Sequence, residues 1–177
     1  MSRLRGLLKP VNMKEQENTT RQITKPHEEL IGEKISLFNH ENKVFSILHI
    51  DDDKPTLYIS KLFLEELSPN IRIKSESDST KINNWMNEDF DCYLVDYLMP
   101  KNNGLAVCKK IRELKNTPII LFTSLEEDEI PRDALQSMNV RYLQKNSDPA
   151  NYDRLTEAIL ELVKKDLNTP KFTEGGD

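Results

Sequence analysis

The amino-acid sequence predicts an α/β fold, a doubly wound parallel sheet of five strands with helices on both faces. Short segments rich in branched and aromatic residues alternate with longer amphipathic segments. The short segments mostly lack the apolar–polar alternation of a half-exposed strand, so we expect both faces of the sheet to be covered. The strand-like segments are FSILHI, IRIKS, CYLVD, PIILF and VRYLQ, beginning at residues 45, 71, 92, 118 and 140.

Each strand-like segment is followed by apolar residues at helical spacing, which predicts five helices. Pro55 and Pro131 stand where first helical turns are expected, a position that tolerates proline. Asn139 stands where the fourth helix must end, and asparagine accepts the left-handed conformation better than most residues. The apolar stripes are Ile59, Leu62, Phe63 and Leu67; Ile82, Trp85 and Met86; Val107, Ile111 and Leu114; Ile130, Ala134 and Met138; and Leu155, Ala158, Ile159, Leu162 and Val163.

The composition excludes several classes of protein. The 177 residues carry a formal net charge of −5, which disfavours a nucleic-acid surface with its clustered lysines and arginines. There is no apolar stretch of membrane-spanning length and no apolar region typical of a signal peptide. Cys92 and Cys108 have neither CxxC nor zinc spacing, which favours reduced, buried thiols. We therefore expect a soluble, cytoplasmic protein.

The composition also divides the chain into three parts. Residues 1–43 are polar, and we expect a mainly unfolded arm there. We expect one globular domain over residues 44–167 and a short tail over residues 168–177. A short docking helix within the arm is the alternative, since three apolar residues fall at helical spacing: Ile31, Ile35 and Phe38.

Polar side chains follow four of the five predicted strands. Because the carboxyl ends of parallel strands meet at one edge of a sheet, we expect these side chains to lie close together. Adjacent carboxylates repel one another, so the cluster predicts a hard divalent cation with oxygen ligands. Solvated strand-end charges would explain any one of these residues, but not all four strand ends together. The residues are Asp51, Asp52 and Asp53; Asp96; Thr123 and Ser124; and Lys145.

The segment 44–167 resembles the receiver domain of two-component response regulators. The matching motifs are IDDD at 50–53, DYLMPKNNG at 96–104, FTS at 122–124 and YLQK at 142–145. The resemblance implies a flavodoxin-like (βα)5 fold with strand order 2-1-3-4-5. It also implies a stand-alone phosphoacceptor response regulator, whose donor is a sensor histidine kinase or a phosphotransfer protein. The resemblance therefore implies that the protein is not an enzyme, since it would catalyse only its own phosphorylation and slow dephosphorylation.

The resemblance implies an acceptor and a metal site among the carboxylates. Asp96 would accept the phosphoryl group, and Asp51 and Asp52 would hold Mg²⁺ together with Asp96 and the backbone carbonyl of Leu98. A carboxylate that attacks a phosphoryl group brings two anions together, so a cation beside it is required on physical grounds as well.

The resemblance also implies roles for residues on the fourth and fifth strands. Thr123 and Lys145 would bind phosphoryl oxygens, and Tyr142 would change rotamer when the acceptor is phosphorylated. Leu98 and Leu125, two residues after the acceptor and two after the threonine, would flank the path of the hydrolytic water. Apolar side chains cannot orient that water, so we expect a long-lived phosphoryl group.

Three positions close to these motifs are not assigned a role in phosphoryl transfer. Asn146 stands where the family usually has proline after the lysine, and we expect a trans bond because a cis bond before asparagine costs ~2.5–4 kcal/mol. Asp53 is interpreted as a charge at a helix start. His49 is interpreted as a packed strand histidine rather than a metal ligand.

Two other functions remain open. A Mg²⁺-dependent phosphohydrolase of the haloacid dehalogenase type would place its D-x-D pair at Asp51 and Asp53, although Lys54 and Pro55 replace the expected Gly-Thr. A pseudo-receiver would act as a scaffold without phosphorylation, but the acceptor, metal pair and lysine are all present. The sequence contains no helix-turn-helix and no second enzymatic domain, so we expect the signal to pass through an unidentified partner protein or the N-terminal arm.

Overall fold

The computed structural model describes residues 43–148 and 150–168. Nearly all of the predicted N-terminal arm, including its candidate helix at Ile31, Ile35 and Phe38, and the tail after Asn168 lie outside the described residues. Strands and helices alternate strictly along the described chain. Their bounds are β1 (Phe45–Ile50), α1 (Lys54–Leu67), β2 (Ile71–Glu76), α2 (Ile82–Trp85), β3 (Cys92–Val95), α3 (Gly104–Arg112), β4 (Ile119–Thr123), α4 (Arg132–Ser137), β5 (Val140–Gln144) and α5 (Asn151–Asn168).

The five strands form one parallel sheet in the order β2-β1-β3-β4-β5, which confirms the predicted fold and strand order. Strands β3 and β4 are buried along their whole length, as expected for a sheet with helices on both faces. The strand order reverses at β1 and β3, so the carboxyl ends of these two strands flank the position where such folds bind ligands.

Two apolar clusters cover the two faces of the sheet. Successive residues of β1 alternate between them, since Ile47 lies in one cluster and Leu48 in the other. One cluster includes Leu64 of α1 and residues of α5, and the other includes residues of α2, α3 and α4. Burying each large aliphatic side chain in these layers contributes ~1.5–3 kcal/mol.

The apolar stripe that predicts α1 lies on the exposed side of that helix. Its four members, Ile59, Leu62, Phe63 and Leu67, are between 41% and 52% exposed. The buried residues of this helix are Leu57, Ser60 and Leu64 instead. Both sets of residues have helical spacing, so the periodicity predicts the helix correctly but does not determine which side packs on the sheet.

Two of the three local signals for element ends are confirmed, whereas Pro131 occupies the N-cap position one residue before α4. Asn139 has a positive φ of 49° after α4, and Pro55 lies in the first turn of α1. The described residues contain no cis peptide bond, so the Lys145–Asn146 bond is trans as expected. Cys92 and Cys108 are free and buried. Within the described ranges, no helix combines the length and the apolar character needed to cross a membrane.

Candidate functional site

Three carboxylates converge at the carboxyl ends of β1 and β3. One oxygen from each of Asp51, Asp52 and Asp96 lies within 4.8 Å of the others. The backbone fixes two of these residues, because Asp96 N–H donates to the Ile50 carbonyl at 2.9 Å and Asp51 N–H donates to the Glu76 carbonyl at 3.1 Å. Three oxygen donors at this spacing suit a hard divalent cation.

Lys145 follows β5 and contacts two of the three carboxylates. Its Nζ donates to Asp51 Oδ2 at 2.6 Å and to Asp96 Oδ1 at 2.8 Å. The backbone places it there, since Lys145 N–H donates to the Thr123 carbonyl at 2.6 Å. One ammonium does not balance three carboxylates. Burial raises the pKa of Asp51 above its ordinary value, and Lys145 only partly offsets this rise. A divalent cation supplies the kind of charge that this cluster lacks.

Thr123 ends β4 on the same edge of the sheet. Its side chain is fully buried, and its hydroxyl has no hydrogen-bond partner among the described residues. Buried hydroxyls in folded proteins nearly always have a partner. A ligand oxygen at this edge of the sheet could therefore accept a hydrogen bond from the Thr123 hydroxyl. The neighbouring Ser124 is exposed to solvent.

The loop from Tyr97 to Asn103 joins Asp96, at the end of β3, to α3. Gly104 closes this loop, because its N–H donates to the Tyr97 carbonyl at 2.9 Å. A Cβ atom at Gly104 would lie 2.3 Å from the Asp96 carbonyl oxygen, so the position requires glycine. The Leu98 side chain in this loop is 53% exposed.

Tyr142 connects β5 with the loop that follows β4. Its hydroxyl donates to the Leu125 carbonyl at 2.7 Å, and both side chains pack against the cluster that includes α4. Tyr142 also lines a surface cleft of about 470 Å³ together with Arg132 and Gln136. A movement of the Tyr142 ring would therefore alter both the loop and this cleft.

Asp53 does not belong to the carboxylate cluster. It lies at the start of a helix, as predicted. It occupies the N-cap position of α1, and its Oδ2 accepts a hydrogen bond from the Thr56 hydroxyl at 2.6 Å. Its backbone N–H donates to Asp51 Oδ1 at 2.9 Å. Asp53 thus orients Asp51 through its backbone.

His49 lies closer to the carboxylate cluster than its interpretation as a packed strand residue predicts. The residue is packed in β1 as predicted, but its Nε2 lies 3.7 Å from Asp51 Oδ2. Burial, and to a smaller extent Lys145, lower the pKa of His49 to about 3, which leaves the imidazole neutral. The available signal was its position two residues before Asp51, because alternate residues of a strand point to the same face.

The comparisons with known proteins agree with this geometry. The family model of the response regulator receiver domain matches residues 47–160. The fold and the carboxylate site define a receiver, and the chain belongs to the response regulator receiver domain family.

Two curated relatives are transcriptional regulatory proteins. ResD of Bacillus subtilis (strain 168) is 27% identical over 128 residues, which cover 70% of this chain and 53% of ResD. SrrA of Staphylococcus aureus (strain NCTC 8325 / PS 47) is 29% identical over 114 residues, which cover 64% of this chain and 47% of SrrA. The chain thus spans about half the length of these relatives.

Solved structures with the same fold include two that are more than a quarter identical. A Francisella response regulator receiver domain is 27% identical, with a TM-score of 0.59 and coverage of 69% of this chain and 98% of that one. A two-component response regulator from Clostridium difficile is 28% identical, with a TM-score of 0.59 and coverage of 71% and 99%. TrrA from Thermotoga maritima, solved in complex with Mg²⁺-BeF, shares the fold at 23% identity, with a TM-score of 0.58 and coverage of 67% and 99%.

Proposed function

We propose that this chain is a response regulator that accepts a phosphoryl group on Asp96 from the phosphohistidine of a sensor kinase or phosphotransfer protein. The observation that carries this proposal is the contact of Lys145 with both Asp51 and Asp96 beside a third carboxylate, Asp52. A nucleophile, a cation site and a fixed positive charge thereby share one edge of the sheet. The unpartnered Thr123 hydroxyl supports the same function.

The reaction forms one bond and breaks one. A carboxylate oxygen of Asp96 attacks the phosphorus atom, the new O–P bond forms, and the P–N bond of the phosphohistidine breaks. The electron pair of that bond remains on the imidazole nitrogen of the donor, and the product is an acyl phosphate. The protein contributes mainly positioning and charge stabilisation to such a transfer.

The donor set fits Mg²⁺, which prefers a few carboxylates together with water and phosphate oxygens. Asp51, Asp52, Asp96 and the backbone carbonyl of Leu98 would hold the ion. When bound, Mg²⁺ offsets the repulsion between phosphoryl oxygens and the acceptor carboxylate. Lys145 turns from the carboxylates to a phosphoryl oxygen, which preserves a charge-assisted hydrogen bond.

Phosphorylation then changes the surface around β5. Thr123 moves toward the phosphoryl oxygens, and the Tyr142 ring repacks into the space that this movement opens, a two-state change that a local charge controls. A downstream protein partner would contact the cleft at Arg132 and Gln136. We expect the same partner to contact Arg141 and Arg154, which are paired with Glu161 and Asp148, respectively.

The exposed apolar side of α1 offers a surface to the phosphoryl donor. Tyr58 is 69% exposed and Leu62 is 52% exposed. The helix begins at Lys54, three residues after Asp51, so its first turn lies close to the carboxylate site. Contiguous exposed apolar residues commonly mark protein contacts. A histidine kinase that rests here would bring its phosphohistidine to the same edge of the sheet.

The alternative functions have less support from the geometry. A haloacid dehalogenase mechanism needs Asp53 beside Asp51, but the carboxylate cluster contains Asp52 and Asp96 instead. A pseudo-receiver scaffold does not need the contacts that Lys145 makes with the buried Asp51 and Asp96.

Intact-mass measurement with acetyl phosphate tests the proposal. We expect the wild-type chain to gain one phosphoryl group when Mg²⁺ is present and none in excess chelator. Asp96→Asn should lose this uptake, whereas Asp53→Asn, a matched control outside the cluster, should retain it. Equal uptake by Asp96→Asn and the wild type would contradict the assignment. Uptake lost in both Asp51→Asn and Asp53→Asn, but kept in Asp96→Asn, would favour the hydrolase.

A further inference from the structure

A buried histidine lies next to the carboxylate cluster without a role in the proposed reaction. His49 has no exposed surface, and neither of its ring nitrogens has a hydrogen-bond partner within the described ranges. Leaving buried polar atoms unpaired costs stability, so such a side chain in a folded protein calls for an explanation. An aliphatic residue would suit this strand position without that cost.

The geometry directs one of the two nitrogens at Asp51. His49 Nε2 lies 3.7 Å from Asp51 Oδ2, which is longer than a hydrogen bond by about 0.8 Å. The same oxygen accepts a hydrogen bond from Lys145 Nζ at 2.6 Å. Asp51 Oδ2 therefore has one donor in contact and a second nitrogen just outside contact.

Lys145 and His49, the two residues near Asp51 Oδ2, differ in their freedom to move. Lys145 is a long side chain that also contacts Asp96. His49 is held within the sheet, where its backbone pairs with Ser75 of β2 and Leu94 of β3. A phosphoryl group on Asp96 would draw the lysine away but leave the histidine in place.

We propose that His49 is a positioning residue whose Nε2–H donates a hydrogen bond to Asp51 Oδ2 when Lys145 moves to the phosphoryl oxygens. This inference rests on the proposed function, which supplies the movement of Lys145. A neutral imidazole carries one N–H, and the tautomer with the proton on Nε2 suits this contact. Groups that hydrogen-bond a metal-ligating carboxylate fix its orientation, so the exchange keeps Asp51 aligned for the cation.

Nuclear magnetic resonance of the full-length chain tests the tautomer and the contact directly. The ¹⁵N-labelled protein contains His27, His40 and His49, and the spectrum of a His49→Gln variant identifies the His49 ring signals. We expect the Nε2–H tautomer throughout, with a downfield shift of this proton when Mg²⁺ and beryllofluoride, a phosphoryl mimic, are added together. An Nδ1–H tautomer, or a ring signal that does not respond to this addition, would overturn the inference.

Two variants of similar size provide a second readout. The amide nitrogen of His49→Gln can replace Nε2 as a donor, whereas His49→Leu cannot donate. By calorimetric titration with Mg²⁺ in the presence of beryllofluoride, we expect His49→Leu to bind the ion ~10–100-fold more weakly. We expect His49→Gln to recover most of the wild-type affinity. Thermal melting of both variants without Mg²⁺ checks that they are folded.

The outcomes separate this inference from the function on which it rests. A wild-type chain that neither binds beryllofluoride nor takes up a phosphoryl group would refute the proposed function, and the exchange of donors with it. Normal phosphorylation of Asp96, with equal Mg²⁺ affinity in the wild type, His49→Gln and His49→Leu, would refute the role of His49 alone.

Discussion

At the scale of single residues, two leucines beside the site bear on how long a phosphoryl group would persist. Leu98 is 53% exposed in the loop after β3. Leu125 follows Thr123 by two residues and is partly buried against the core, and its carbonyl is already hydrogen-bonded to the Tyr142 hydroxyl. Neither leucine side chain can donate or accept a hydrogen bond, so neither can orient an attacking water molecule.

We predict that the double variant Leu98→Asn, Leu125→Glu loses its phosphoryl group faster than the wild type. A positioned proton acceptor typically increases the rate of such a step by ~10²–10⁴-fold. We expect the phosphoryl group of the variant to be hydrolysed at least about tenfold faster than that of the wild type. The measurement is the decay of the phosphorylated mass after removal of acetyl phosphate. Leu114→Asn is the control, because Leu114 is 65% exposed and lies just beyond the end of α3. Equal decay in wild type and double variant would show that the leucines do not set the lifetime.

At the scale of elements, the start of α3 packs against the carboxyl end of β3. Gly104 brings the first turn of the helix against the backbone of Asp96 and Tyr97. Asn103 caps the same turn, since its Oδ1 accepts the Ala106 N–H at 2.9 Å. The two residues make separable contributions: Asn103 stabilises the helix end, and Gly104 permits the close approach to the backbone of Asp96.

We predict that Gly104→Ala both destabilises the domain and weakens the cation site. The added Cβ meets backbone atoms that cannot move aside cheaply, which costs ~1–3 kcal/mol of the free energy of unfolding. Because the clash pushes on Asp96, the affinity for Mg²⁺ should fall as well. Urea unfolding and calorimetric Mg²⁺ titration measure the two effects.

Asn103→Ala is the matched control for this element. Loss of the cap should cost ~1 kcal/mol and leave the backbone of Asp96 in place. Its Mg²⁺ affinity should therefore stay close to that of the wild type. A Gly104→Ala variant with wild-type Mg²⁺ affinity would show that the close approach serves stability alone.

At the scale of the whole molecule, α1 is the helix whose packing departs most from its sequence pattern. Leu64 is fully buried in the cluster shared with α5, while Leu62 is 52% exposed. Phe63 is stacked on Tyr152 of α5, with ring centroids 5.0 Å apart. Ser60, on the buried side, lies within hydrogen-bond distance of the same tyrosine hydroxyl, at 3.2 Å. The helix thus packs through a mixed surface and leaves apolar residues exposed.

We predict a large loss of stability for one leucine of α1 and a small change for another. Leu64→Ala should lower the free energy of unfolding by ~2–5 kcal/mol, because it opens a cavity between helix and sheet. Leu62→Ala should change it by no more than about 0.5 kcal/mol, as is usual for surface positions. Urea unfolding of both variants provides the comparison. A large loss of stability in Leu62→Ala would mean that another part of the chain covers this side of α1.

Much of the fold and part of the candidate site could be predicted because they depend on local patterns. Strand-like segments, helical spacing and the left-handed position of Asn139 are set by neighbouring residues. The convergence of Asp51, Asp96 and Lys145 follows from parallel strands, whose carboxyl ends must share one edge. The strand order and the roles expected of the site residues could be predicted only through the resemblance to receivers, whose motifs are specific in combination.

The tertiary structure alone decided which side of α1 faces the sheet and which atoms meet at the site. Helical spacing is satisfied equally by Leu57 with Leu64 and by Ile59 with Leu62, and only packing against α5 and the sheet selects between them. The approach of His49 Nε2 to Asp51, and the simultaneous contacts of Lys145, depend on distances across strands far apart in sequence. Such distances arise from the packing of the whole domain, which no local pattern encodes.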